Sequence, residues 1–228
     1  MQNKNGLGLK RVLIVTAMED EMNCIDRELL KKKMFGIGCS VDFLVTGVGK
    51  IKASSALTEK VASEFEYQYD IVINVGTCGG VERAEIFDVI YNSKVKSVDV
   101  DYCGGEFDYI LDEFFGVDND VQPGVMFSND KFLTPEYYKI VSSEMNSDAD
   151  AVGMMCPITY DMETFANAMI CDKYKIPFMA LRVVTDKPVV PNSYSVFEAN
   201  LVPGMQKLNN ILNSDKCLEG IYEVLASR

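Results

Sequence analysis

Histidine is absent from the 228 residues, so His-dependent triads, imidazole proton shuttles and the usual zinc-enzyme ligand sets are excluded together. Carboxylates are the groups left for acid–base chemistry. The stretch from Tyr160 to Pro188, YDMETFANAMICDKYKIPFMALRVVTDKP, holds two of them, Glu163 and Asp186, on one helix–strand unit. A third candidate is Glu21 in the acidic run Met18-Glu19-Asp20-Glu21-Met22.

The elements that must position these acids follow from periodicity. Asp161 can cap a helix, Glu163 suits its first turn, and Met162, Phe165, Ala166, Met169 and Ile170 recur at helical spacing. After a polar turn at Asp172–Lys175, Ile176–Val184 reads as a buried strand ending in Thr185-Asp186. Open α/β sheets bind ligands beyond the carboxyl ends of their strands, so Asp186 is placed for function. Locally, the plainer alternatives are a helix N-terminal charge for Glu163 and a strand-end cap for Asp186.

Residues 1–10 form a polar, Gly-containing lead-in expected to be disordered, and residues 11–228 are expected to form one domain. Arg11–Ala17 is a compact strand that runs into the acidic cluster, where acids at a helix start and lysines near Lys31–Lys33 also suit the macrodipole. A strand at Phe43–Thr46, a Gly47-Val48-Gly49 turn and a helix with Ala53, Ala56, Leu57 and Val61 inward come next. Lys52 stands where a dinucleotide fingerprint needs its third glycine. Ile71–Val75 predicts a strand ending in a turn, Gly76-Thr77-Cys78-Gly79-Gly80, whose backbone N–H groups can face a ligand. Cys78 has no histidine to activate it and reads as a pocket-lining thiol. Ile86–Tyr91 and Pro123–Phe127 are further strand candidates, separated by a long functional or interface loop at Asp99–Asp120. A helix is expected near Pro135–Met145, and a last one from about Val202 to Ala226, interrupted around Asn213–Lys216.

Composition narrows the function. With 48% hydrophobic and 25% charged residues the chain can bury one substantial core. A formal net charge of −12 argues against nucleic acid, an anionic membrane or a highly anionic substrate. Seven scattered cysteines, odd in number and without a Cys-x-x-Cys pair, fit a reduced cytosol. The apolar run Val12–Ala17 is too short for a span and is followed by acids, unlike a signal peptide, so a cytoplasmic location is expected.

The ordered motifs TAMEDEM, TGVGKIKAS, NVGTCGG, SNDKFL, YDMET and RVVTD resemble those of the nucleoside phosphorylase/nucleosidase superfamily, and within it the methylthioadenosine/S-adenosylhomocysteine nucleosidases. The likeness runs from about Arg11 to Phe197. It implies a three-layer α/β/α fold around a central mixed, partly barrel-like sheet, a homodimer, no metal or cofactor, and hydrolysis of the N-glycosidic bond of an adenine nucleoside, a methionine-salvage reaction. By this resemblance Glu21 activates the attacking water and Asp186 protonates the departing adenine at N7. Met162 and Glu163 contact the ribose, with Glu163 on its hydroxyls, and Thr77, Cys78 and Gly79 form a turn beside the ligand. Phe132 and Leu133 sandwich and backbone-bond the base, Arg182 and Thr185 match supporting positions of the binding site, and Phe197 closes the pocket. Paired carboxylates in opposite protonation states suit cleavage to an oxocarbenium-like ribosyl group.

Asp161-Met162-Glu163 is closer to a plant-type nucleosidase pattern, and Thr185-Asp186-Lys187-Pro188 has a likeness to AMP nucleosidases. A phosphate-dependent purine nucleoside phosphorylase is the other enzymatic alternative, although Glu19, Asp20 and Glu21 would repel its anion. A non-catalytic nucleoside-binding or storage relative is the alternative of another class. Retention of Glu21, Glu163 and Asp186 together speaks against it.

Overall fold

The computed structural model describes residues 8–63, 68–100, 108–110, 121–151, 156–188 and 191–227. Its elements run β1 (Lys10–Thr16), α1 (Glu19–Asn23), α2 (Arg27–Gly36), β2 (Cys39–Val45), α3 (Lys50–Ser63), β3 (Ile71–Glu82), β4 (Val89–Ser97) and β5 (Asp108–Ile110). They continue with β6 (Val121–Ser128), α4 (Pro135–Ala151), β7 (Ile158–Asp161), α5 (Thr164–Tyr174), β8 (Phe178–Asp186), α6 (Ser193–Leu212) and α7 (Asp215–Ala226). Lys10 already pairs with Cys39, so the strand reaches into the expected lead-in, of which residues 1–7 lie outside the described residues. Most of the Asp99–Asp120 loop lies outside them too.

One mixed sheet organises the chain. Strand β1 pairs in parallel with β2 and β3, and β3 continues into a ring in which β3 meets β8 and β7, β7 meets β6, β6 meets β4, and β4 meets β8. The sheet is therefore open at the β2 end and closed like a barrel around β3. That double duty explains the twelve residues of β3. Its first part, Ile71–Asn74, pairs with β1, and Gly79–Glu82 pairs antiparallel with β7. Shifts of register at Cys78/Gly79 against β8 and at Gly80/Glu82 against β7 bend the strand into the ring.

Alternation along β1 builds the layers. Val12 and Ile14 pack in a cluster with Met205, Leu208 and Leu218 of α6 and α7, whereas Leu13 and Val15 pack with Leu57 and Val61 of α3 and Phe165 of α5. Helices thus cover both faces, giving the three-layer arrangement. A third cluster joins Val125, Phe127, Ile158 and Tyr160 of the ring to Leu133 and to Val141 and Met145 of α4. Among the described residues, no helix is long and apolar enough to cross a membrane.

Several elements differ from the sequence expectation, among them the strand expected at Ile86–Tyr91, which is β4 at Val89–Ser97. Gly76-Thr77-Cys78-Gly79-Gly80 is strand rather than turn. A Cβ at Gly76 would lie 2.4 Å from Arg182 Nη1, and one at Gly80 would lie 2.8 Å from both Ala84 O and Val184 Cγ1, so these glycines admit close neighbours inside a strand. Asp161 ends strand β7 and the helix begins only at Thr164, whose N–H donates to the Asp161 carboxylate, so the expected cap acts from the strand end. Helix α6 begins at Ser193, well before Val202, and carries Pro203 in its interior.

Candidate active site

The turns after β1, β6, β7 and β8 meet the bent half of β3 around a cavity of about 330 Å³. Eleven residues singled out from the sequence line it: Glu21, Thr77, Cys78, Gly79, Phe132, Leu133, Met162, Glu163, Thr185, Asp186 and Phe197. Arg182 does not. It is fully buried beneath the floor, so its place is supporting rather than ligand-contacting.

Glu21 sits at the third position of the short helix α1, 1% exposed. One carboxylate oxygen accepts from Ala17 N (3.0 Å) and Met18 N (3.1 Å), the other from Thr77 N and Thr77 Oγ1 (both 2.8 Å). All four partners donate, which makes Glu21 an acceptor locked between the end of β1 and the middle of β3.

Asp186 is the last residue of β8 and is 4% exposed. Its carboxyl group faces Gly79, where an added Cβ would lie 3.5 Å from Asp186 Oδ2. Burial pushes its pKa up to about 7 against the opposing pull of the Thr185 hydroxyl. The group is thus poised to hold and release a proton near neutrality.

Glu163 precedes the first residue of α5 on the cavity wall, makes no cap hydrogen bond to the helix, and its Oε1 accepts from Gly49 N (2.8 Å). Burial, reinforced by the negative charge of Asp161, raises its pKa well above the carboxylate range, with Arg182 and the Gly49 N–H pulling the other way. Its neighbour Asp161 is occupied by structure. It accepts from Ser128 Oγ (2.5 Å), Arg182 Nη2 (2.6 Å), Thr164 N and Thr164 Oγ1. Arg182 also donates to Thr164 Oγ1 (2.9 Å) and Thr77 O (3.4 Å), so a single guanidinium braces β3 and the start of α5.

The mouth is aromatic. Phe132, Tyr194 and Phe197 stand with ring centroids 5.8, 5.9 and 6.3 Å apart, and Tyr194 is 57% exposed. Cys78 is a buried thiol whose pKa is raised by desolvation, which denies it nucleophile character. Sequence reasoning missed Ala17, Met18, Val48, Tyr160, Asp161, Pro188 and Tyr194 as wall residues. Tyr194 carried a usable signal, lying three residues before Phe197 on the same helix face. Among the described residues, no cluster of three or more His, Cys, Asp or Glu is placed to hold a metal ion.

No family model matches the chain. Among curated proteins it is similar to the 5'-methylthioadenosine/S-adenosylhomocysteine nucleosidase of Bacillus cytotoxicus, at 26% identity over 77% of this chain and 85% of the relative. Among solved structures it is similar to the same-named enzyme of Helicobacter pylori with butyl-thio-DADMe-Immucillin-A bound (TM-score 0.71, 16% identity, 90% of this chain and 96% of that one). It is also similar to the futalosine hydrolase of Helicobacter pylori (TM-score 0.71, 17% identity, 96% and 98% covered).

Proposed function

We propose that this chain, which belongs to the nucleoside phosphorylase/nucleosidase superfamily, hydrolyses the N-glycosidic bond of an adenine nucleoside with a 5'-thioether, releasing adenine and a 5-thioribose. The observation that carries the reading is one cavity holding two buried acids in opposite settings, Glu21 ringed by donors and Asp186 with its pKa near 7.

In this reading Asp186 delivers its proton to N7 of the base, so the purine leaves as a neutral molecule rather than an anion. Glu21 accepts a hydrogen bond from water, orients it toward C1' and receives its proton as the bond to the oxocarbenium-like ribosyl group forms. Glu163 holds the ribose hydroxyls, Phe132 and Phe197 pack on the base, and Leu133 meets its edge. Thr185 and Gly79 shape the floor around Asp186, and Met162, Thr77 and Cys78 complete the ribose side.

Water, rather than phosphate, is the favoured nucleophile because the described wall carries the acids Glu21, Asp161, Glu163 and Asp186 and no lysine or arginine to hold an anion. The remaining wall, including Met18, Val48 and Tyr194, is largely apolar and accommodates a thioether arm. The same acidity counts against AMP. The single sheet supports reading residues 11–228 as one domain, and we read the enzyme as a cytoplasmic homodimer acting in methionine salvage.

The test is adenine release from methylthioadenosine, S-adenosylhomocysteine, adenosine and AMP, each with and without phosphate, with both products identified by chromatography. Phosphate-independent release from a thioether substrate is expected. Release that requires phosphate overturns the hydrolase reading, and sizing by light scattering checks the dimer.

A further inference from the structure

Lysine is seldom buried without a partner, and Lys50, the first residue of α3, is only 8% exposed. Its Nζ donates to Ser97 Oγ (2.9 Å) and to the Asp99 carboxylate. The other Asp99 oxygen accepts from Asp130 N (3.0 Å), and Asp130 Oδ1 accepts from Lys50 N (2.6 Å). Three residues from three distant parts of the chain therefore close a ring of hydrogen bonds. None of the three lies on the cavity wall.

The ring touches the site at two points. Gly49, one residue before Lys50, has φ +93° and sends its N–H to Glu163 Oε1 at 2.8 Å. A Cβ there would meet Asp130 Oδ1 at 3.1 Å, so the turn is pressed against the same aspartate. Asp130 itself lies two residues before Phe132, on the loop that brings Phe132 and Leu133 to the cavity wall. The simple alternative is that Lys50 only neutralises two neighbouring acids. That account leaves unexplained why the backbone and side chain of one lysine both enter the ring directly beside the Glu163 contact.

We propose that Lys50 is a positioning residue that acts through the Gly49 N–H on Glu163, with Asp99 and Asp130 closing the ring that holds the turn, and so tunes recognition of the ribose hydroxyls. The inference rests on the nucleosidase reading. Losing the ammonium frees the Gly47–Lys50 turn to move off Glu163, so the ribose contact weakens while the reacting groups Asp186 and Glu21 stay in place. In the nucleosidase reading Glu163 meets the substrate at the ribose hydroxyls, which makes the mechanism separable from general loosening.

The experiment compares methylthioadenosine with its analogue lacking both ribose hydroxyls, in wild type and in Lys50→Met, by steady-state kinetics and by ligand binding. On the riboside, Lys50→Met is expected to raise KM about tenfold with kcat within about threefold, and on the hydroxyl-free analogue to change KM less than about twofold. Asp99→Asn, which keeps an acceptor for Asp130 N but removes the charge opposite Lys50, is expected to change the riboside KM in the same direction by a smaller factor. It carries the comparison if Lys50→Met does not fold. Equal losses on the two ligands overturn the action through Glu163 while leaving the hydrolase reading intact. A wild-type protein that neither binds nor cleaves the riboside overturns both.

Discussion

Glu21 and Asp186 share one cavity and are almost equally buried, at 1% and 4% exposure, yet their surroundings are opposite. Glu21 receives four hydrogen bonds from the end of β1 and the middle of β3. Asp186 faces a glycine and the cavity, and burial dominates its titration. Burial alone therefore does not assign a carboxylate its chemistry. The neighbours do: four donors fix Glu21 as an acceptor, whereas desolvation favours the neutral form of Asp186.

The sharpest way to break this contrast is Asp186→Asn, which keeps the shape but removes the transferable proton. We expect kcat for methylthioadenosine hydrolysis to fall by roughly 10³-fold or more, with ligand binding retained, as for loss of a general acid plus its local electrostatics. A rate within tenfold of wild type removes Asp186 from the chemistry. On the other side, Glu21→Gln places an amide NH2 against donors on at least one oxygen position, and we expect activity to fall by about 10²-fold or more and stability by about 1–3 kcal/mol. Chemical denaturation together with product release checks both parts.

The tight seam between Glu21 and Arg182 can be probed at Gly76. A Cβ there would sit 2.4 Å from Arg182 Nη1 and 2.8 Å from Glu21 Oε1, so Gly76→Ala should cost about 2–4 kcal/mol of stability, as overpacking of a buried polar floor does. An unchanged melting temperature would show that Arg182 and Glu21 yield freely.

The proton on Asp186 gives the comparison a pH dependence. Its folded pKa of about 7 lies above the ordinary 3.8, so the neutral carboxyl contributes stability that is present at low pH and lost as pH rises through about 7. Activity should fall over the same window as the acid loses its proton, and the stability gap between Asp186→Asn and wild type should shift in favour of the variant between about pH 5 and pH 8, by an amount on the order of 2 kcal/mol. Thermal melts across that range measure it. A flat difference would place the shifted group elsewhere. The smallest effect belongs to Thr77→Val, which removes one of the four donors to Glu21 and leaves the Thr77 N–H. A loss of about 3- to 30-fold in kcat is expected, read by steady-state assay.

Much of this arrangement was legible in the residues. The apolar run of β1, the helical spacing of Ala53, Leu57 and Val61 in α3, and the buried run of β8 ending at Asp186 all depend on local periodicity, which survives without tertiary information. The positive φ at Gly47 and Gly49 fits the turn expected of Gly47-Val48-Gly49. The four-residue strand β7 was not legible, because so short a segment has no period to read. Its Asp161 reads as a helix cap from residue type, and its carboxylate does reach Thr164 N, although the residue belongs to the strand.

What the sequence by itself determined, then, is which side chains are available and which segments are strand or helix: an acidic, histidine-free chain whose candidate acids stand next to strand ends. Tertiary structure alone decided how each acid is used. Four donors from residues 17, 18 and 77 converge on Glu21, Asp161 is taken up by Arg182, and Lys50 finds Asp99 and Asp130 far along the chain. Gly76 to Gly80 is strand rather than turn because it pairs with β8 and β7, strands that come much later in the chain, and its glycines leave room for Arg182, Glu21 and Val184. Such contacts depend on how the sheet closes around β3, and no local spacing of residues encodes a neighbour that distant.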